Sequence, residues 1–476
     1  MEDNNLIFTL SGIRGRAKTD LNFNTSKRIA IAYGLWFDST DKRVIIGRDT
    51  RPSGTVITRG IIEGLIATGF KVFDLGICPT PVIIHAKNKL NIPGGVIITG
   101  SHNPQEWNGL KLLSKRTFLG NTDLEMISNH LKNISLNSYK KLPPSSEWNV
   151  EDLNPITNYI QDLSNHIDYK QVKNKNTLRV VIDSGAGAGK FVTPKVLSEL
   201  GCDIKLINNA LLVNKDFPRE IEPIKQNLKD LIMEVWQGKY DIGFAHDTDA
   251  DRLAIIGENG VCYPEDIGLA LITDYYLKNQ KKNEEEVYFV TNLASSLRFE
   301  AIAEKYDTHI IRTPVGEKFL TEKMDELMMD RSKNRLVFGG EGSCGGVMFP
   351  NFNITRDGIF AAAKIIEILV KTGEKVSKLI EGLPKYYSHR KKINIKHMDT
   401  KSIIKNVKNE LVKEGEKVEQ INLDLKFGQG KDWFVLIHPS NTESVIRIIS
   451  EAKRESLARV YCEATTELVK LVIDRI

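Results

Sequence analysis

Nothing in this sequence approaches the roughly 20 consecutive apolar residues that a membrane-spanning helix requires. Met1-Glu2-Asp3-Asn4-Asn5 is not the basic-then-apolar opening of a secretory signal, so a cytoplasmic protein without a membrane partner is expected. Cysteine is scarce. Cys78, Cys202, Cys262, Cys344 and Cys462 stand at no metal-site or disulfide spacing, and their odd number suits a reducing compartment. An excess of one charge is missing too: a formal +5 is small beside 66 basic and 61 acidic residues, and with lysine and arginine scattered it implies no nucleic-acid partner. The glycine-rich turn Ser184-Gly185-Ala186-Gly187-Ala188-Gly189 lacks the G-x-G-x-x-G spacing of a dinucleotide fingerprint. No G-x-S-x-G elbow surrounds Ser101, which argues against a hydrolase triad.

What is present centres on Thr99-Gly100-Ser101-His102-Asn103-Pro104, placed after the apolar run Val96-Ile97-Ile98. That run predicts a buried strand, and Asn103-Pro104 predicts an immediate turn. A hydroxyl is then offered at a strand's carboxyl end, where open α/β sheets place their chemistry, and Lys111 returns a cation nearby. Serine by itself is a weak nucleophile and must be activated or arrive modified. A turn serine capping a helix is the plainer reading. Far downstream, Asp247, Asp249 and Asp251 alternate in one tight loop between apolar runs. Without a cation they would repel and raise one another's pKa values, whereas a hard divalent ion, Mg²⁺ where phosphate is present, removes that cost. The spacing is not that of an EF-hand, and a solvated acidic turn is the alternative. An oxygen on Ser101, above all a phosphorylated one, would supply a fourth ligand.

Other stretches carry anion or sugar chemistry. In Ser11-Gly12-Ile13-Arg14-Gly15-Arg16, glycines let backbone approach a ligand and the Arg14 guanidinium matches phosphate oxygens. Arg48 and Arg51 are expected to brace the Ser101 loop through buried carboxylates. Glu341 in Gly339-Gly340-Glu341-Gly342-Ser343 can accept from two vicinal hydroxyls, Ser343 adds one more bond, and Asp357 is expected to cap a helix over 359–370. Ser440, Thr442 and turn amides in Pro439-Ser440-Asn441-Thr442-Glu443 form an anion nest beside Arg447.

Ser101-His102-Asn103-Pro104, the loop 247–252, Gly339-Gly340-Glu341-Gly342-Ser343 and Pro439-Ser440-Asn441-Thr442-Glu443, in this order and at these separations, resemble the α-D-phosphohexomutases: phosphoglucomutase, phosphomannomutase and phosphoglucosamine mutase. The likeness spans almost the whole length. It implies an α/β fold of four domains around a central cleft: three related α/β domains with mixed sheets (1–165, 175–283, 284–383) and a C-terminal α+β domain (388–476). The alternation of strands, turns and helices reads as three repeats of one unit, with a loop at Pro143-Pro144-Ser145-Ser146 near the first boundary. By the same resemblance, phosphorylated Ser101, bound to Mg²⁺ with Asp247, Asp249 and Asp251, donates its phosphoryl group to a hexose phosphate. A 1,6-bisphosphate turns over and returns the other group, glucose 1,6-bisphosphate serving as activator. Arg14 and Arg252 steady the transferring oxygens, and Lys111 and His102 are the acid/base candidates. Glu341 and Ser343 contact the sugar hydroxyls and Lys318 a phosphate or hydroxyl, while His438, Ser440, Asn441, Thr442 and Arg447 grip the distal phosphate. A monomer or homodimer is expected.

Three departures bear on specificity. Cys344-Gly345 follows Ser343 where the family form carries Gly-His, His438 replaces an arginine, and Asn441 stands where glycine is frequent. Glucose and mannose phosphates rank first as substrates, with glucosamine phosphate as the alternative. A metal-dependent sugar phosphatase using Asp247, or a non-catalytic relative, are the competing classes.

Overall fold

The computed structural model describes residues 5–139, 149–175, 177–279, 286–329, 335–395, 398–440 and 444–475. The expected loop at Pro143 to Ser146 and the site candidates Asn441 and Thr442 lie outside them. Two compact units are formed, one from residues 1–268 with 344–380, the other from 269–343 with 381–476.

The first unit opens with a mixed seven-stranded sheet. The all-apolar strand Gly94–Ile98 lies inside it, parallel to Arg43–Arg48 and antiparallel to Trp107–Leu113. Burial on both faces accounts for the unbroken Val96-Ile97-Ile98 run. Helices Phe23–Trp36 and Gly54–Ala67 contribute Ile29, Tyr33, Ile57 and Ile61 to its core. A second sheet sets Arg179–Asp183 parallel to both Asp203–Ile207 and Ile242–Ala245, and the last of these turns back into the antiparallel strand Ala254–Gly257. Residues 246–253 therefore connect two buried strands at one end of the sheet.

In the second unit, Glu286–Asn292 runs parallel to His309–Thr313 on one side and to Arg335–Glu341 on the other. Five antiparallel strands follow: Tyr387–Asn394, Val445–Ala452, Trp433–Pro439, Asp424–Gln429 and Glu419–Ile421, in that spatial order. Helices Thr400–Lys413 and Glu455–Asp474 bury Ile403, Val407, Cys462 and Val469 against them. The architecture is thus three α/β domains and a C-terminal α+β domain.

Two local readings change. The helix expected to run on from the glycine-rich turn to 200 is a short 3₁₀ turn, Ala188–Phe191, followed by a separate helix, Thr193–Glu199. Pro194 has no N–H to continue a helix but suits its first turn. The 20-residue helix Glu455–Asp474 has no glycine, proline or side-chain cap marking its start, and it was not anticipated. No helix among the described residues is long and apolar enough to cross a membrane.

Candidate active site

Ser101 is buried and held in the left-handed region at φ 48°, a strained conformation for a residue with a Cβ. Its N–H donates to Thr99 Oγ1 (2.8 Å) and its Oγ donates to Asp247 Oδ2 (2.9 Å). The strain persists because Arg51 fixes the loop around it. This fully buried guanidinium donates to the carbonyls of Ser101 (2.8 Å), Asn103 (2.6 Å), Pro104 (2.7 Å) and Trp107 (3.0 Å), and to Asp49 Oδ2 (3.2 Å). Asp49 Oδ2 also accepts from Thr99 Oγ1 (2.7 Å) and from Thr248 Oγ1 in the aspartate loop (2.8 Å). A Cβ on Gly100 would sit 2.4 Å from the Arg51 guanidinium carbon, so the brace requires glycine there. Bracing by Arg51 matches the sequence expectation. Arg48 adds one bond, from Nη1 to Asp49 O at 3.3 Å.

Asp247, Asp249 and Asp251 each bring a carboxylate oxygen within 4.8 Å of the others, with Ala250 left-handed at φ 56° between the last two. Their Oδ2 atoms are engaged. Asp249 accepts from Thr80 Oγ1 (2.6 Å) and Lys111 Nζ (2.9 Å), and Asp251 accepts from Lys111 Nζ (2.9 Å) and Arg356 Nη2 (2.6 Å). All three Oδ1 atoms are buried without a hydrogen-bond partner. Three clustered carboxylates, each with an unpartnered oxygen, are the donor set of a hard divalent cation, and without one each such oxygen would carry a desolvation cost. The residues therefore fit a metal of this kind. Burial, reinforced by Asp249 and Asp251, pushes the Asp247 carboxyl well above its ordinary range. Asp251 corrects the expectation of mutual elevation. Burial raises it, but Arg356, Lys111 and Arg252 outweigh that and hold it below the usual carboxylate range.

Cations crowd the rim. Arg14 Nη1 donates to Thr99 O (2.8 Å), and burial, aided by Arg51, lowers its pKa to about 10 against the pull of Asp249, Asp251 and Asp49. Arg252 Nη2 donates to His102 Nδ1 (2.8 Å), with its Nε 3.7 Å from Asp247 Oδ2. His102 Nδ1 also lies 3.5 Å from Ser101 Oγ. Burial, with Arg252 and Arg14, holds His102 well below 6.5, so the ring is neutral. Because Arg252 can only donate, the histidine proton sits on Nε2.

Ser101, His102, Lys111, Arg14, Arg252 and the three aspartates are thus brought together in the first unit. Glu341, Ser343 and Lys318 lie in the α/β part of the second. Glu341 is buried at the end of its strand, where Oε1 accepts from Asn292 Nδ2 (2.8 Å); Ser343 is in the single turn Gly342–Cys344; Lys318 pairs with Glu322 (2.6 Å). In the antiparallel part, His438 stands directly opposite Arg447 on the neighbouring strand and its Nδ1 is 2.6 Å from Asp424 Oδ1. The Ser440 N–H donates to Val445 O (2.9 Å). Sequence reasoning missed Arg356, Thr80, Thr248 and Asn292. No spacing links them to Asp251, Asp249, Asp49 and Glu341; only the folded chain does.

A strand-end serine hydroxyl bonded to one carboxylate of a buried triad, with arginine and lysine around it, is the set of groups that a metal-assisted phosphoryl transfer calls for. Comparison with known proteins sets the family. Profiles described as phosphoglucomutase/phosphomannomutase α/β/α domains I, II and III match residues 5–138, 157–260 and 264–387. The chain is similar to a phosphoglucomutase/phosphomannomutase of Thermococcus kodakarensis, 35% identical over 469 residues and covering 98% of each chain. It is similar to a protein of Pyrococcus horikoshii named probable phosphoglucosamine mutase, 32% identical over 470 residues, again covering 98% of each. A crystal structure of a phosphoglucomutase/phosphomannomutase family protein from Burkholderia thailandensis shares the fold, with a TM-score of 0.81 at 21% identity, covering 99% of this chain and 98% of that one. The chain belongs to the phosphoglucomutase/phosphomannomutase family of the α-D-phosphohexomutase superfamily, and it is an enzyme of the mutase class.

Proposed function

We propose that the enzyme interconverts hexose 1-phosphates and hexose 6-phosphates, those of glucose and mannose first, through phosphorylated Ser101 and a hexose 1,6-bisphosphate. The observation that carries this is the Ser101 Oγ, 2.9 Å from Asp247 Oδ2, beside three unpartnered carboxylate oxygens. Asp247, Asp249 and Asp251 would hold Mg²⁺ with an oxygen on Ser101. The ion supplies charge neutralisation for the phosphoryl oxygens. Arg14 and Arg252 add fixed positive charge, since phosphoryl transfer depends chiefly on positioning and electrostatics. With Nδ1 taken by Arg252, His102 offers an N–H and suits a donor to a phosphoryl oxygen. Lys111, whose Nζ donates to Asp249 and Asp251, stands beside His102 as the other acid/base candidate. Glu341, Ser343 and Lys318 would read the sugar; Arg447, His438, Ser440, Asn441 and Thr442 would hold the phosphate that is not moving. Glucose 1,6-bisphosphate would prime Ser101, and the protein would work in the cytoplasm as a monomer or homodimer.

Glucosamine phosphate is the second reading, favoured by the Pyrococcus relative; Gly345 stands where the family form of the sugar loop carries a histidine. The test is incubation with glucose, mannose and glucosamine 1-phosphates in parallel, with Mg²⁺ and a trace of the matching 1,6-bisphosphate. Isomerisation is expected, with EDTA abolishing it and far-UV circular dichroism unchanged, and with phosphate on the Ser101 peptide by mass spectrometry. Release of inorganic phosphate instead would make the protein a phosphatase. Activity surviving verified metal removal would exclude the triad as the metal site.

A further inference from the structure

We infer that Asn292 is a positioning residue for Glu341, part of a directed hydrogen-bond ring that aims the sugar-reading carboxylate. The ring's polarity is fixed by its backbone donors. The Ala294 N–H can only donate, and it meets Asn292 Oδ1 at 3.1 Å; the Asn292 amide must therefore turn its NH₂ towards Glu341, where Nδ2 lies 2.8 Å from Oε1. The Gly342 N–H likewise can only donate, and it meets Ser295 Oγ at 3.0 Å; that oxygen also accepts from Thr291 Oγ1 (2.7 Å), and the Ser295 hydroxyl donates to Asn292 Oδ1 at 3.0 Å. The order is Gly342 N–H to Ser295 to Asn292 to Glu341, and Glu341 and Gly342 are neighbours in the chain, so the ring closes. Asn292 and Ser295 are both completely buried. Arg312 anchors the turn from behind. It grips Glu300 with two 2.7 Å bonds and donates to the carbonyls of Asn292 (2.6 Å), Ser295 (2.7 Å) and Ser296 (3.0 Å).

The inference rests on the reading of Glu341 as the sugar ligand, and the ring gives it content. One carboxylate oxygen is committed to Asn292, so the plane of the carboxylate is set before substrate arrives. Hexoses that differ in a single hydroxyl are separated by just such preset geometry.

The experiment compares Asn292→Ala, Asn292→Asp, Glu341→Ala and the double variant Asn292→Ala/Glu341→Ala. The wild-type residue donates to a carboxylate, so Asn292→Ala is expected to lower kcat/KM for glucose and mannose 1-phosphates roughly ten- to a hundredfold, the factor one charge-assisted hydrogen bond carries. Asn292→Asp keeps the shape but sets acceptor against acceptor, and is expected to be worse than alanine. In the Glu341→Ala background, Asn292→Ala should cost almost nothing more. A residue that merely fills space would give the opposite order, aspartate milder than alanine, and additive losses; either result overturns the inference. A readout without turnover separates this from failure of the functional reading. Adding Glu341→Gln to Asn292→Asp restores a donor–acceptor pair and should raise the melting temperature above that of Asn292→Asp, whichever substrate the enzyme uses. A wild type inactive on every hexose phosphate would remove the functional reading, and no rise on adding Glu341→Gln would remove the ring.

Discussion

At Ser101 the chemistry depends on a residue that never meets the reacting atoms. The four carbonyls gathered by Arg51 need a planar fork of donors, and lysine offers three donors from one point on a flexible stem. Arg51→Lys is accordingly expected to release the left-handed Ser101 loop, slowing phosphorylation of Ser101 by glucose 1,6-bisphosphate at least about tenfold through loss of two or more buried bonds worth roughly 1 kcal/mol each. The labelling rate checks this; an unchanged rate would mean that Asp49 and Thr248 hold the loop unaided. The same scale shows what could be read in advance. Ser101 and the aspartate triplet were legible because each motif is contiguous and its chemistry follows from residue type. Arg356 was not: it stands next to a helix cap, 105 positions from the Asp251 it neutralises, and no local pattern marks that partner. Nor was Asn292, because its role depends on Glu341, 49 positions on.

Across elements, the three α/β domains repeat one device. A buried or nearly buried arginine pairs with a carboxylate and collects carbonyls at a strand-end turn: Arg51 with Asp49, Arg219 with Asp183, and Arg312 with Glu300. Arg219 adds His246 O (2.8 Å), at the entrance of the aspartate loop. The repeat of strand, turn and helix was visible from the alternation of apolar runs and glycine- or serine-bearing turns; of the arginines only Arg51 was read as a brace, since each lies at a different offset from its turn. The helix Gly358–Thr372 gives a test at this scale. Its cap, Asp357, accepts from Phe360 N (2.9 Å) and from the Tyr159 hydroxyl (2.8 Å), as the sequence anticipated for a cap. Burial nonetheless raises its carboxyl from 3.8 to about 6, only partly offset by Phe360, Tyr159 and Asn353. With the folded value above the unfolded one, the stability Asp357 contributes is whole below about pH 4 and is lost as pH rises through about 6. Asparagine keeps the cap and carries no charge. The melting temperature of Asp357→Asn relative to wild type should therefore climb between pH 5 and pH 7.5. A flat difference would mean that the carboxylate is fully compensated by its donors.

For the second unit as a whole, the turn that orients Glu341 is also where the α/β and antiparallel parts meet. Leu293, Ala294 and Leu297 share an apolar cluster with Tyr386, Phe434, Leu436 and Ile449 on the sheet face opposite the helices Thr400–Lys413 and Glu455–Asp474, and Leu297 N–H donates to Glu451 Oε1 (2.6 Å). Residues 292–297 thus answer to two masters: their side chains pack on the antiparallel sheet while their backbone and polar groups hold Glu341. Leu436 is completely buried in that cluster, and its truncation to alanine is expected to cost about 2–5 kcal/mol through lost contact and a residual cavity. If the cluster joins the two parts into one cooperative block, the loss cannot stay within the strand Trp433–Pro439. Hydrogen exchange read by mass spectrometry should then accelerate both in that strand and in residues 292–299 and 335–341 across the cluster, with kcat/KM falling alongside because Glu341 loses its fixed orientation. Faster exchange confined to the antiparallel strands, with residues 292–299 as protected as in the wild type, would show that the Arg312 and Glu300 brace keeps the turn in place without the sheet beneath it.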